Sequence, residues 1–133
     1  MSDFLFFVKF IHYLCYKSLK IIWVKTKKEI LEVVKVLKSR LIEYFGENIQ
    51  DVILFGSRST GKATKYSDYD VLIIVRNNYD WKFRDTITDI VYDVELEHDV
   101  LFDKHLISIC ELKNTLKGAE PIYNNAVKNG IYV

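Results

Sequence analysis

At 133 residues the chain is one domain, with room for a single hydrophobic core but not for a catalytic domain plus a separate substrate domain. Its 19 basic and 18 acidic residues leave a net charge of +1, so the positive field that drives non-specific nucleic-acid binding is missing and no direct nucleic-acid contact is expected. Cys15 and Cys110 lie far apart in apolar surroundings without zinc-ligand spacing, which fits reduced thiols in a cytoplasmic protein.

The chain opens on a strongly apolar stretch, Phe4 to Val24, interrupted by Lys9, His12, Lys17 and Lys20, which argues against a membrane span. At helical spacing Lys9, Tyr13, Tyr16, Lys17 and Lys20 fall on one side, and Phe7, Ile11, Leu14, Ser18, Ile21 and Ile22 on the other. Residues 1–23 are therefore expected to form an amphipathic helical extension that packs on the domain, docks a partner or lies on a membrane surface. Asp3 stands where a signal peptide would be basic, and no small-residue cleavage site follows. The next helix starts cleanly after Val24, and valine codons can initiate translation, so the extension can also stand outside the natural product.

Residues 24–133 are expected to form the globular domain. Thr26-Lys27-Lys28-Glu29 spells a capping box, and Ile30, Val33, Val34, Leu37, Leu41, Tyr44 and Phe45 recur at three and four up to Gly46, predicting a helix. Val52–Phe55 and Val71–Val75 are short, apolar and β-branched, and predict two buried strands. A second helix opens at Tyr79 or Asp80 and reaches Leu96 or Glu97. Val100 to Cys110 is extended, and Leu112–Leu116 and Ile122–Val127 read as short helical pieces, the second begun by Pro121. The fold class is α+β, a two-layer α/β sandwich with a small mixed sheet of three to four strands packed against helices.

Between the first two strands lies Gly56-Ser57, then ten residues, then Asp68-Tyr69-Asp70. The segment Gly56 to Ala63 nearly spells a P-loop, but Ala63 replaces the magnesium-binding hydroxyl and a second strand follows instead of a long helix. The other reading uses both ends of the segment. Glycine lets the backbone turn sharply and approach a phosphate, while the serine hydroxyl and neighbouring amides offer donors. Residues i and i+2 of a strand point the same way, about 6–7 Å apart, so Asp68 and Asp70 share a face and suit Mg2+. A plain polar hairpin is the structural alternative. Asp70 weighs against it, since an acid leading into five apolar residues would face a buried edge without a compensating cation.

Leu54-Phe55-Gly56-Ser57-Arg58-Ser59-Thr60-Gly61 followed by Ser67-Asp68-Tyr69-Asp70-Val71-Leu72-Ile73 resembles the DNA polymerase beta type nucleotidyltransferase superfamily, and the short length resembles its minimal nucleotidyltransferases. The specific part of the likeness covers residues 54–75, with a looser one from Pro121-Ile122-Tyr123 to Gly130-Ile131. It implies a nucleotidyltransferase fold and a magnesium-dependent enzyme, with two Mg2+ ions, that transfers AMP from ATP to a tyrosine hydroxyl of a HEPN-domain toxin. In that role it would be the antitoxin of a toxin-antitoxin module. It also implies nucleotide contacts from Gly56, Ser57 and Arg58, and a third acid that completes the catalytic and metal-binding set of Asp68 and Asp70.

Asp93, Glu95, Glu97, Asp99 and Asp103 are the candidates for that third acid, the first three on the second helix. Asp103 is chosen because it stands alone among Leu101, Phe102, Leu106 and Ile107, with Asp99 next. His105 shares its strand face but reads as a packing or surface residue. Arg58 and Lys62 are candidate phosphate contacts. Two other functions stay open: a non-catalytic antitoxin that acts by binding, and a small-molecule nucleotidyltransferase.

Overall fold

The computed structural model describes residues 7–11, 26–56 and 68–133. Helix α1 spans Lys27–Phe45. It starts as the capping box requires: the Glu29 amide donates to the Thr26 hydroxyl (3.2 Å) and the Thr26 amide to the Glu29 carboxylate (3.1 Å). Gly46 ends it at φ +62°, where a side chain would be strained, and a 3₁₀ turn over Gly46–Asn48 leads into β1, Ile49–Phe55. Strand β2 follows at Tyr69–Val75 and α2 at Trp81–His98, its amino end capped by Asp80 and its carboxyl end closed by Asp99 in the left-handed region (φ 52°). Then come β3 (Phe102–Ser108), α3 (Ile109–Asn114), α4 (Pro121–Asn129) and β4 (Ile131–Tyr132).

The strands form one mixed sheet in the order β3-β2-β1-β4. β1 lies antiparallel to β2 and β4, and β2 and β3 run parallel, joined by α2 as a crossover. One face carries Val52, Leu54, Val71 and Ile73, covered by Ile30, Val34, Leu37 and Leu41 of α1 and Ile87, Val91 and Val94 of α2. The other face carries Ile53, Phe55, Leu72, Ile74 and Ile107, which meet Tyr123 and Ala126 of α4. Burial on both faces explains why β1 and β2 read as unbroken apolar runs instead of alternating. Leu37 is fully buried in the larger cluster. Leu37→Ala is expected to cost about 2–5 kcal/mol, read from denaturant unfolding.

The outer edge of β3 is closed by side chains. The Leu106 carbonyl accepts from the Tyr79 hydroxyl and from Lys117 Nζ, each at 3.2 Å, and Lys117 also reaches Glu111 at 3.2 Å. Burial alone would raise the Glu111 carboxyl, but hydrogen bonds from Tyr79, the Ser108 backbone and Lys117 hold it below its ordinary value of 4.5. A depressed carboxyl contributes stability that is complete above that value and is lost as pH falls through the folded pKa. The stability gap between the parent and Glu111→Gln should therefore narrow on going from about pH 6 to about pH 3, measured by urea midpoints.

Within the amino-terminal extension, residues 7–11 are described and helical. Lys9 Nζ pairs with Asp93 of α2 at 3.2 Å and lies 5.6 Å from the centre of the Tyr92 ring. Phe7 and Ile11, on the apolar side, are 59% and 43% exposed, so over these residues it is the Lys9 side that faces α2. The rest of the expected amphipathic helix lies outside the described residues. Among the described residues no helix is long and apolar enough to cross a membrane.

Candidate active site

The sheet register brings the acids together. Phe55 at the end of β1 pairs with Asp70, the second residue of β2, and Asp70 pairs in parallel with Asp103, the second residue of β3. Two residues on, Leu72 pairs with His105. Strand alternation puts Phe55, Asp70, Asp103 and His105 on the face that α4 covers, at the end of the sheet where β1 finishes and β2 and β3 begin.

Asp70, Asp103 and His105 each offer one donor atom, and all three lie within 4.8 Å of one another. His105 Nε2 is 3.7 Å from Asp103 Oδ1. The imidazole stands between Phe55 (ring centres 5.6 Å apart) and Tyr123 (6.4 Å, edge to face). Gly56 adjoins the acids directly. It has φ +76°, and a β-carbon there would sit 2.3 Å from Asp70 Oδ2. Beside His105 and Tyr123 lies a cavity of about 240 Å³ lined also by Arg84, Lys104 and Lys117.

The Asp70 carboxyl is held above its usual range. Burial is the largest cause, followed by the charge of Asp103; the His105 imidazole opposes the rise, while Asp68 and a hydrogen bond with Asp103 add to it. Two carboxylates this close, one of them partly buried, form a centre that a divalent cation would relieve.

A family model described as nucleotidyltransferase domain matches residues 34–133, which covers the whole sheet and both acids. The chain belongs to this nucleotidyltransferase family. It is also similar to a protein of Methanocaldococcus jannaschii named "Putative protein adenylyltransferase MJ0141", 34% identical over 89 residues, or 67% of this chain and 85% of that one.

In this nucleotidyltransferase Asp68 lies one residue ahead of β2, outside the group formed by Asp70, Asp103 and His105 but near enough to raise the Asp70 carboxyl. The alternatives to Asp103 are engaged elsewhere. Asp93 pairs with Lys9 and Glu97 with Arg40, and Glu95 is a buried residue of the same helix, α2, on the opposite side of the sheet. Asp99 closes α2. Ser57, Arg58 and Lys62 lie outside the described residues. His105, read from the sequence as a packing or surface residue, is brought beside both acids. Its i+2 spacing from Asp103 was the available signal, and the parallel pairing of β3 with β2 turns that spacing into proximity with Asp70.

The donor set fits a divalent cation: two carboxylates and an imidazole in reach of one another, with a glycine leaving the approach free of a side chain. Asp70 and Asp103 would hold it. When bound, such a cation neutralises charge on phosphoryl oxygens.

Proposed function

We propose that the chain is a protein adenylyltransferase that moves AMP from ATP to a tyrosine hydroxyl of a HEPN-domain toxin and thereby acts as the antitoxin of that pair. The carrying observation is the juxtaposition of Asp70 and Asp103 in register on parallel strands, with Gly56 against them. The archaeal relative, whose name describes a protein adenylyltransferase and 85% of whose length is matched, supports a protein acceptor. Residues 24–133 carry the reaction, and residues 1–23 are an extension to it.

In this reading Asp70 and Asp103 hold Mg2+, with Asp68 available to a second ion, and Gly56, Ser57 and Arg58 cradle the phosphates. The acceptor oxygen attacks the α-phosphorus, the bond to the bridging oxygen breaks, and pyrophosphate leaves. Asp103, whose side chain is 58% exposed, takes the hydroxyl proton on a carboxylate oxygen.

The test is co-expression with a HEPN-domain toxin, sought first in the genes adjoining this one. The parent enzyme should rescue growth and leave AMP on a toxin tyrosine, seen by intact-mass and peptide analysis, and Asp70→Asn should do neither. Rescue by Asp70→Asn without modification would replace this reading with neutralisation by binding.

A further inference from the structure

We propose that His105 is a nitrogen ligand to the divalent cation held by Asp70 and Asp103, and that it makes this centre prefer a first-row transition ion, Mn2+, to Mg2+. The inference rests on the reading above that the carboxylate pair holds a cation, and adds the identity of a ligand and the class of ion.

Geometry is the first support. Two ligands of one ion at about 2.1 Å each are at most about 4.2 Å apart, and His105 Nε2 and Asp103 Oδ1 are separated by 3.7 Å. That spacing is too long for a hydrogen bond but inside the span of a shared ion. Asp70, in register with Asp103, supplies the third atom: all three lie within 4.8 Å of one another, so closing on a shared ion asks for side-chain shifts of at most about half an ångström.

The second support is the state of the imidazole. Nε2 is buried and makes no hydrogen bond among the described residues, although the ring is held on two sides by Phe55 and Tyr123. A ring used only for packing would be served as well by phenylalanine, without the cost of a desolvated nitrogen. A neutral imidazole with its proton on Nδ1 presents a lone pair at Nε2, toward Asp103. Magnesium is a hard ion that favours oxygen ligands, whereas imidazole raises affinity along the first transition row. One nitrogen added to two carboxylates therefore shifts the balance toward Mn2+.

The test uses the full-length protein with Mn2+ alone, so that no nucleotide nitrogen is present. Calorimetry with Mn2+ and Mg2+ gives the preference, and electron spin-echo modulation on bound Mn2+ reports a directly coordinated ¹⁴N. The parent should show a ¹⁴N coupling and bind Mn2+ at least about tenfold more tightly than Mg2+. His105→Phe, which keeps the packing between Phe55 and Tyr123, should lose the coupling and about tenfold or more in Mn2+ affinity. His105→Asn provides the same comparison should the phenylalanine variant fail to fold, and His98→Gln, on α2, should change nothing. Mn2+ bound without ¹⁴N coupling, or bound equally by the parent and His105→Phe, would overturn the role of His105 while leaving the carboxylate centre standing. No binding of either ion by the parent would overturn both.

Discussion

Asp70→Asn should lower nucleotidyl transfer by about 10²–10³-fold without weakening the fold. The substitution keeps shape and removes charge. Asp70 is the partly buried member of the acid pair, and its carboxyl is raised by desolvation and by Asp103, so in the absence of a cation its negative charge is a burden on the folded state. Asparagine relieves that repulsion, and thermal unfolding in chelator should show the variant at least as stable as the parent. Added divalent cation should then raise the melting temperature of the parent but not of the variant, because an ion that binds the native state stabilises it by mass action. A variant that keeps transfer within a few-fold of the parent would remove Asp70 from the reacting centre.

Gly56→Ala carries the second large effect, and it arises from two separable causes. At φ +76° any side chain is strained, at a cost of about 1–2 kcal/mol. In addition the new β-carbon would fall 2.3 Å from Asp70 Oδ2 and 3.0 Å from its carboxyl carbon, so the carboxylate must move off its position opposite Asp103. Transfer should fall nearly as far as in Asp70→Asn although no polar group has been lost. The two causes can be told apart by a double-mutant cycle in stability. With Asp70→Ala as background the carboxylate clash is gone and only a tight 3.3 Å contact with the remaining β-carbon stays beside the backbone term, so Gly56→Ala should cost less there than in the parent. Equal costs in both backgrounds would mean that the glycine is required for its backbone alone.

Much of the fold could be read along the chain because its signals are local. The Thr26–Glu29 box and the three-four spacing from Ile30 to Leu41 predict α1, and the structure places its start at Lys27. The runs Val52–Phe55 and Val71–Val75 read as buried strands and are the core of β1 and β2. β4 was not legible as a strand: two residues carry no periodicity, and Ile131 and Tyr132 become a strand only by pairing with Leu54 and Ile53, nearly eighty residues upstream. At the site, the Asp103 expectation rested on an acid isolated among apolar neighbours, and the sheet puts that acid opposite Asp70. The nearness of His105 to both acids depends on the parallel register of β3 against β2, which is information held in tertiary packing. Asp68 shows the converse. Alternation alone groups it with Asp70, but β2 begins at Tyr69, so Asp68 sits ahead of the regular ladder.

The most direct test of the acid pair as a centre for nucleotidyl transfer is to offer the enzyme, together with the HEPN-domain protein proposed as its acceptor, ATP labelled at the α-phosphorus and, in parallel, at the γ-phosphorus. The account predicts label on the partner protein from the α position, none from the γ position, and release of the γ label as pyrophosphate. Label arriving from the γ position, or no transfer from either by a folded enzyme supplied with Mg2+ or Mn2+, would contradict it.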